Sequence, residues 1–120
     1  MTQVIDLSGP VSIGTSFADI NGLNSTAVVN PKAMILAYTA GTLDNPTGSS
    51  IDVTIQMTVG ATTIGSAIVS VPASGTAAWS VFGAINITTA SSPTIKVQGQ
   101  ATATGVNATS GNFGFTVHTP

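Results

Sequence analysis

The stretch Ile51-Asp52-Val53-Thr54-Ile55-Gln56-Met57-Thr58-Val59 alternates strictly between apolar and polar side chains. That period of two is the signature of a strand with one face on a core and one face in water. Gly60-Ala61 follows as a two-residue turn, and Thr62 to Val71 returns as the second arm of a hairpin. Gly65 in that arm marks a bulge or a loose pairing. Pro72-Ala73-Ser74-Gly75 ends the arm.

The same pattern extends toward the C-terminus. Ala77 to Thr88 places Trp79, Val81, Ile85 and Ile87 on one face, with Gly83 between them. Ala90 to Pro93 is the next turn. Thr94 to Thr104 sets Ile95, Val97, Ala101 and Ala103 opposite Lys96, Gln98 and Gln100. Gly105 to Asn112 is polar and reads as a loop. Phe113, Phe115 and Val117 then point inward, with Gly114, Thr116 and His118 outward.

Toward the N-terminus the pattern is less regular. Val4 to Leu7 and Val11 to Phe17 are short strand candidates around Gly9-Pro10. Pro31 precedes the strong apolar run Ala33 to Ala40, and Gly41 to Ser50 reads as a turn-rich loop. The expectation is a single domain over residues 1–120: an all-β antiparallel sandwich, jelly-roll-like, of about eight strands. Residues 1–30 form a less regular segment expected to reach a neighbour and add a strand to its edge. No fixed-period repeat points to a solenoid.

Charge is the abnormal quantity. Charged residues are 5% of the 120 residues, against about 25% in an ordinary domain. The cations are Lys32 and Lys96; the anions are Asp6, Asp19, Asp44 and Asp52. Mixed surface charge normally keeps proteins soluble and sheet edges apart. A chain without it, with a mean hydropathy of +0.46, is expected to have faces covered by copies of itself or by another protein. Two lysines and a pI near 4.6 speak against nucleic acid as a partner. The longest apolar stretch, Ala33 to Tyr38, is too short to span a bilayer. The start MTQVIDLSGPV lacks the pattern of a secretory signal.

Catalysis needs acids, bases or nucleophiles held together. The chain has one histidine, His118, at the end of the last strand, and no GxSxG elbow; a solvent-facing histidine is the simpler reading. Asp19-Ile20-Asn21-Gly22 looks like the start of a calcium loop, yet a chain without glutamate lacks the bidentate ligand that loop needs. A turn built by Asp, Asn and Gly is expected there, and another at Asp44-Asn45-Pro46. No cofactor or metal is expected. The sequons at Asn24, Asn86 and Asn107 arise readily in a Thr/Ser-rich chain, and the threonines show no regular ladder of an ice-binding kind.

Most of the aromatics, Phe17, Tyr38, Trp79, Phe82, Phe113 and Phe115, fit core positions. Phe82 is out of phase with Trp79 and Val81. It is either a subunit contact or the sign of a bulge at Gly83. Tyr38 suits an interface or a core rim.

The run IDVTIQMTVGATTIGSAIVSVPASGTAAWSV, with ASSPTIKVQGQATATG after it, resembles the small β-rich virion proteins of bacteriophages: head-decoration, spike and fibre domains, many in the style of the trimeric tumour-necrosis-factor-like jelly rolls. The likeness covers roughly half the chain. It implies a virion-surface structural protein, a homotrimer, with the major capsid protein or other virion proteins as partners. The alternative is a carbohydrate or host-receptor binding module, with the loops at 41–50 and 105–112 and the rings of Trp79, Tyr38 or Phe82 as its site.

Overall fold

The computed structural model describes residues 2–29 and 32–119, with Thr2 through its backbone alone. Nine strands are present among them: β1 (Thr2–Asp6), β2 (Val11–Ser12), β3 (Ala18–Thr26), β4 (Ala33–Asn45), β5 (Ile51–Val59), β6 (Thr62–Val71), β7 (Gly75–Ile87), β8 (Thr94–Ala101) and β9 (Asn107–His118). One sheet runs β1-β9-β4-β7, with β2 also on β9; the other runs β3-β8-β5-β6. All pairings are antiparallel. Taking β1 and β2 as one interrupted strand gives two four-stranded sheets, the chain passing from sheet to sheet everywhere except at the β5–β6 hairpin. That is the jelly-roll order.

The hairpin forms as its sequence dictates. Gly60 takes a φ of 60°, and β5 pairs β6 from Val59↔Thr62 to Ile51↔Val71. The register slips between Met57 and Thr58, beside Gly65, so that glycine does mark a bulge. Ile51, Val53, Ile55 and Met57 are all buried between the sheets, facing Trp79, Ile35, Phe113 and Phe115 of the other layer. Fully burying side chains of this size contributes about 1.5–3 kcal/mol each. The phenyl rings of Phe113 and Phe115 lie 5.8 Å apart.

Two expectations change. Gly41 to Asn45 and Asn107 to Asn112, read as loops, are strand, and they pair with each other: Gly41↔Gly111, Thr42↔Ser110, Leu43↔Ala108, Asp44↔Asn107. Their glycines serve packing. The Trp79 ring lies against both, and a Cβ on Gly41 would overlap it. Likewise most of the segment expected to be irregular is strand. β1 and β2 pair with β9 of the same chain, and β3 with β8. Within that segment Asp19 to Gly22, expected as a turn, is part of β3, where the pairing to β8 shifts register and Gly22 takes a φ of 91°. Met1, Asn30 and Pro31 lie outside the described residues.

The loops that remain are tied down. Asn45 is buried and uses its whole amide: Nδ2 donates to the carbonyls of Ser49 (2.7 Å) and Val71 (3.1 Å), and Oδ1 accepts from the Thr47 N–H and hydroxyl. This is the turn expected at Asp44-Asn45-Pro46. At the other edge of the sandwich β6 and β7 approach through glycines. A Cβ on Gly65 would lie 2.8 Å from the Phe82 carbonyl oxygen, and one on Gly83 would strike that of Ile64.

Candidate interaction face

The two sheets turn different surfaces outward. On β4 the inward side chains Ala33, Ile35, Ala37 and Thr39 are buried. Met34, Leu36, Tyr38 and Ala40 point the other way, away from the core. Their partners on β7 are Asn86, Ala84, Phe82 and Ser80. On β4 and β7 these four rows carry no charged side chain; the row through Ala40 ends at Asp6 on β1, across Asn112. The row through Tyr38 runs Val4, Gly114, Tyr38, Phe82 across four strands. Tyr38 lies over Gly114, where a Cβ would overlap its ring. Val4 is 57% exposed, Tyr38 41% and Phe82 70%. Between them, Val4, Leu36, Tyr38, Phe82 and Thr116 border a hollow of about 180 Å³.

Phe82 is thereby explained. The β4–β7 ladder runs unbroken from Ala33↔Ile87 to Asn45↔Gly75, so Gly83 is no bulge. Phe82 points outward because its strand is in register. The expectation that most aromatics are core holds for Trp79, Phe113 and Phe115, while Phe17, Tyr38 and Phe82 are exposed. Val4 and Leu36 were missed. The available signal was that Ala33 to Ala40 is apolar at both parities, which marks a strand covered on two faces.

The opposite face is polar and tied together across β5, β8 and β3, while Ile68 on β6, paired with Thr54, stands 74% exposed at its edge. In one row across β5, β8 and β3, Gln56 Nε2 donates to Gln98 Oε1 (2.8 Å) and Gln98 Nε2 donates to Asp19 Oδ1 (2.9 Å). Lys96 Nζ stands 3.5 Å from Asp19 Oδ2. Gln100 Nε2 donates to the Thr15 carbonyl at 3.0 Å.

The other candidates do not assemble. Trp79 is 1% exposed, and its indole N–H donates to Thr39 Oγ1 (3.1 Å), whose hydroxyl donates to the Asn112 carbonyl (2.8 Å). It offers no ring for a sugar. His118 is exposed at the end of β9, opposite Met34. Among the described residues no three of His, Cys, Asp and Glu are grouped so as to hold a metal.

No family model and no curated protein matches this chain. Solved structures do. The chain is similar to a protein of the infectious bursal disease virus particle, at 12% identity and a TM-score of 0.65, over 98% of this chain and 31% of that one. Murine APRIL, of tumour-necrosis-factor-like fold, is similar at 12% identity and a TM-score of 0.50, over 98% and 99% of the two chains. A Stig cyclase from Fischerella sp. TAU is similar at 13% identity and 0.51, over 81% and 56%. The chain thus spans about a third of the length of the viral neighbour. One of these folds is an enzyme, so the shared architecture alone does not decide activity. What the likenesses establish is the jelly roll itself, of the kind found in virus capsids and in tumour-necrosis-factor-like proteins.

Proposed function

We propose that this chain is a non-enzymatic structural subunit of a virus particle, a bacteriophage capsid decoration or spike protein at the virion surface. Its copies join as a homotrimer through the outer face of the β1-β9-β4-β7 sheet, with Tyr38 and Phe82 in the contact, and the particle's major capsid protein or other virion proteins are its further partners. Neither nucleic acid nor membrane enters the reading.

The observation that carries it is the uncharged row Val4, Gly114, Tyr38, Phe82, open on a sheet face. A face four strands wide and up to thirteen residues long measures on the order of 700 Å² from strand spacing and rise, close to the roughly 800 Å² per partner of a standard interface. The hollow beside Phe82 is of the size that takes an aromatic ring, since cavities of about 150 Å³ bind benzene. Aromatic anchors in such hollows dominate association energies. The likeness to a virus particle protein supports the setting, and the near-absence of charge supports surfaces meant to be covered. A sugar- or receptor-binding role keeps only Tyr38 and Phe82 of its three candidate rings, and much of its two loops is strand.

Sedimentation velocity and native mass spectrometry of the full chain test this, together with co-sedimentation on capsids lacking it. A species of three chain masses that binds capsids is expected. A monodisperse monomer at micromolar concentration with no affinity for capsids sinks the proposal.

A further inference from the structure

Asn21 is the only asparagine in the chain followed by glycine. It lies in the one stretch of β3 where pairing to β8 loses register, between Asp19↔Gln98 and Asn24↔Lys96. Asn21 and Gly22 are both exposed, while Ile20 and Leu23 on either side are buried at 1% and 0%. Gly22 holds a φ of 91°, and the space where its Cβ would stand is open to 4 Å. The peptide nitrogen of a residue without a Cβ is the least hindered nucleophile a backbone offers.

We infer that Asn21 is a self-modification site, where the side-chain amide is converted to a carboxylate through a cyclic imide with Gly22. The Gly22 nitrogen gives its proton to water or hydroxide and bonds to Asn21 Cγ. The Cγ–Nδ2 bond breaks, and Nδ2 leaves as ammonia after taking up a proton. Water then opens the ring at either carbonyl, giving aspartate or isoaspartate. No oxidant or reductant is involved, and water is the only co-reactant.

Each conversion takes the chain from a net charge of -2 to one unit more negative, in a protein with few charges to dilute it. The two products differ in their effect on the fold. Aspartate keeps the main chain as it was. Isoaspartate lengthens it by one carbon between the buried anchors Ile20 and Leu23, and so loosens the β3 edge. The site is in the sheet opposite the proposed contact face, and the inference stands whether or not the chain belongs to a virion.

The full-length folded protein is aged in mildly alkaline buffer, then read by intact mass, released ammonia and peptide mapping with isoaspartate detection. Conversion at Asn21 is expected to run at least about tenfold faster than at Asn24, Asn86 or Asn107, because only there does an unbranched glycine follow. Asn21→Gln should abolish the main mass gain. Gly22→Ala should slow it roughly tenfold. Equal or faster conversion at another asparagine overturns the assignment, as does a mass gain that persists in Asn21→Gln.

Discussion

The two outward faces of this sandwich are built on the same ladder geometry and end in opposite chemical states. Across β5, β8 and β3, the row Gln56, Gln98, Asp19 joins end to end by hydrogen bonds of 2.8 and 2.9 Å. Across β7, β4, β9 and β1, the row Phe82, Tyr38, Gly114, Val4 presents rings and a methyl-bearing side chain to solvent. The first row needs no partner. The second leaves apolar area in water that about 25 cal/mol per Å² favours covering. A protein this poor in charge spends one of its two cations on the first face and none in the central rows of the second. What distinguishes the faces is therefore which of them is already satisfied.

The largest effect comes from beneath the apolar face. Trp79 lies against Gly41 and Gly111 and holds Thr39 by its indole N–H. Trp79→Ala removes the largest buried ring, and its expected cost is about 3–5 kcal/mol. Thermal unfolding followed by circular dichroism checks this. A loss under 1 kcal/mol would mean that the sheet carrying the apolar face does not depend on the ring below it.

Next comes the face itself. Phe82→Ser removes an exposed ring and leaves the core as it was, so the melting temperature of the dissociated chain should hold. Association should weaken by about 2–4 kcal/mol, the range of a central aromatic anchor. Sedimentation equilibrium over a concentration series measures both states. If the variant associates as tightly as the parent, Phe82 is a solitary surface ring and the asymmetry between the faces has no bearing on assembly.

Gly114→Ala asks whether the ring position matters. Its new Cβ would occupy the place of the Tyr38 ring, and an outward-facing tyrosine can swing away at little cost to the fold. Association should fall by roughly 1 kcal/mol through the lost placement of one aromatic contact. Unchanged association with a displaced Tyr38, seen by the fluorescence of its phenol, would restrict the contact to Phe82.

How far the sequence carried this can be read strand by strand. The bounds of β5 and β6 were legible to the residue from strict alternation and a two-residue glycine turn, while the register slip between Met57 and Thr58 was signalled by Gly65 alone. The reading failed where glycine stood for something other than a turn. Gly41 and Gly111 make room for Trp79, a contact between residues dozens of positions apart that no local pattern shows. β3 was hidden by its own bulge at Asp19 to Gly22. For the face, Phe82 was legible as a residue out of phase with Trp79 and Val81, and Tyr38 as a ring suited to an interface or a core rim. Their pairing was not, because the β4–β7 register is set by a connection that passes through the other sheet. Val4 and Leu36 looked like ordinary strand residues until the sheet order put them beside Tyr38.

The smallest effects belong to the polar face, and they test whether it is closed. Gln98→Leu strips Gln56 and Asp19 of a shared partner. Both are only partly buried and water can replace it, so about 1 kcal/mol is expected. Lys96→Gln should cost about 0.5 kcal/mol or less, the range of an exposed ion pair. The Lys96–Asp19 separation is 3.5 Å, the two side chains are 40% and 36% exposed, and Asp19 keeps its bond from Gln98. Added salt should erase most of that difference, since the screening length falls to about 3 Å at 1 M. Neither substitution should move the association constant measured for the parent chain. If Lys96→Gln weakens assembly as much as Phe82→Ser does, then copies meet through the polar face, and the uncharged row across β4 and β7 is a bystander.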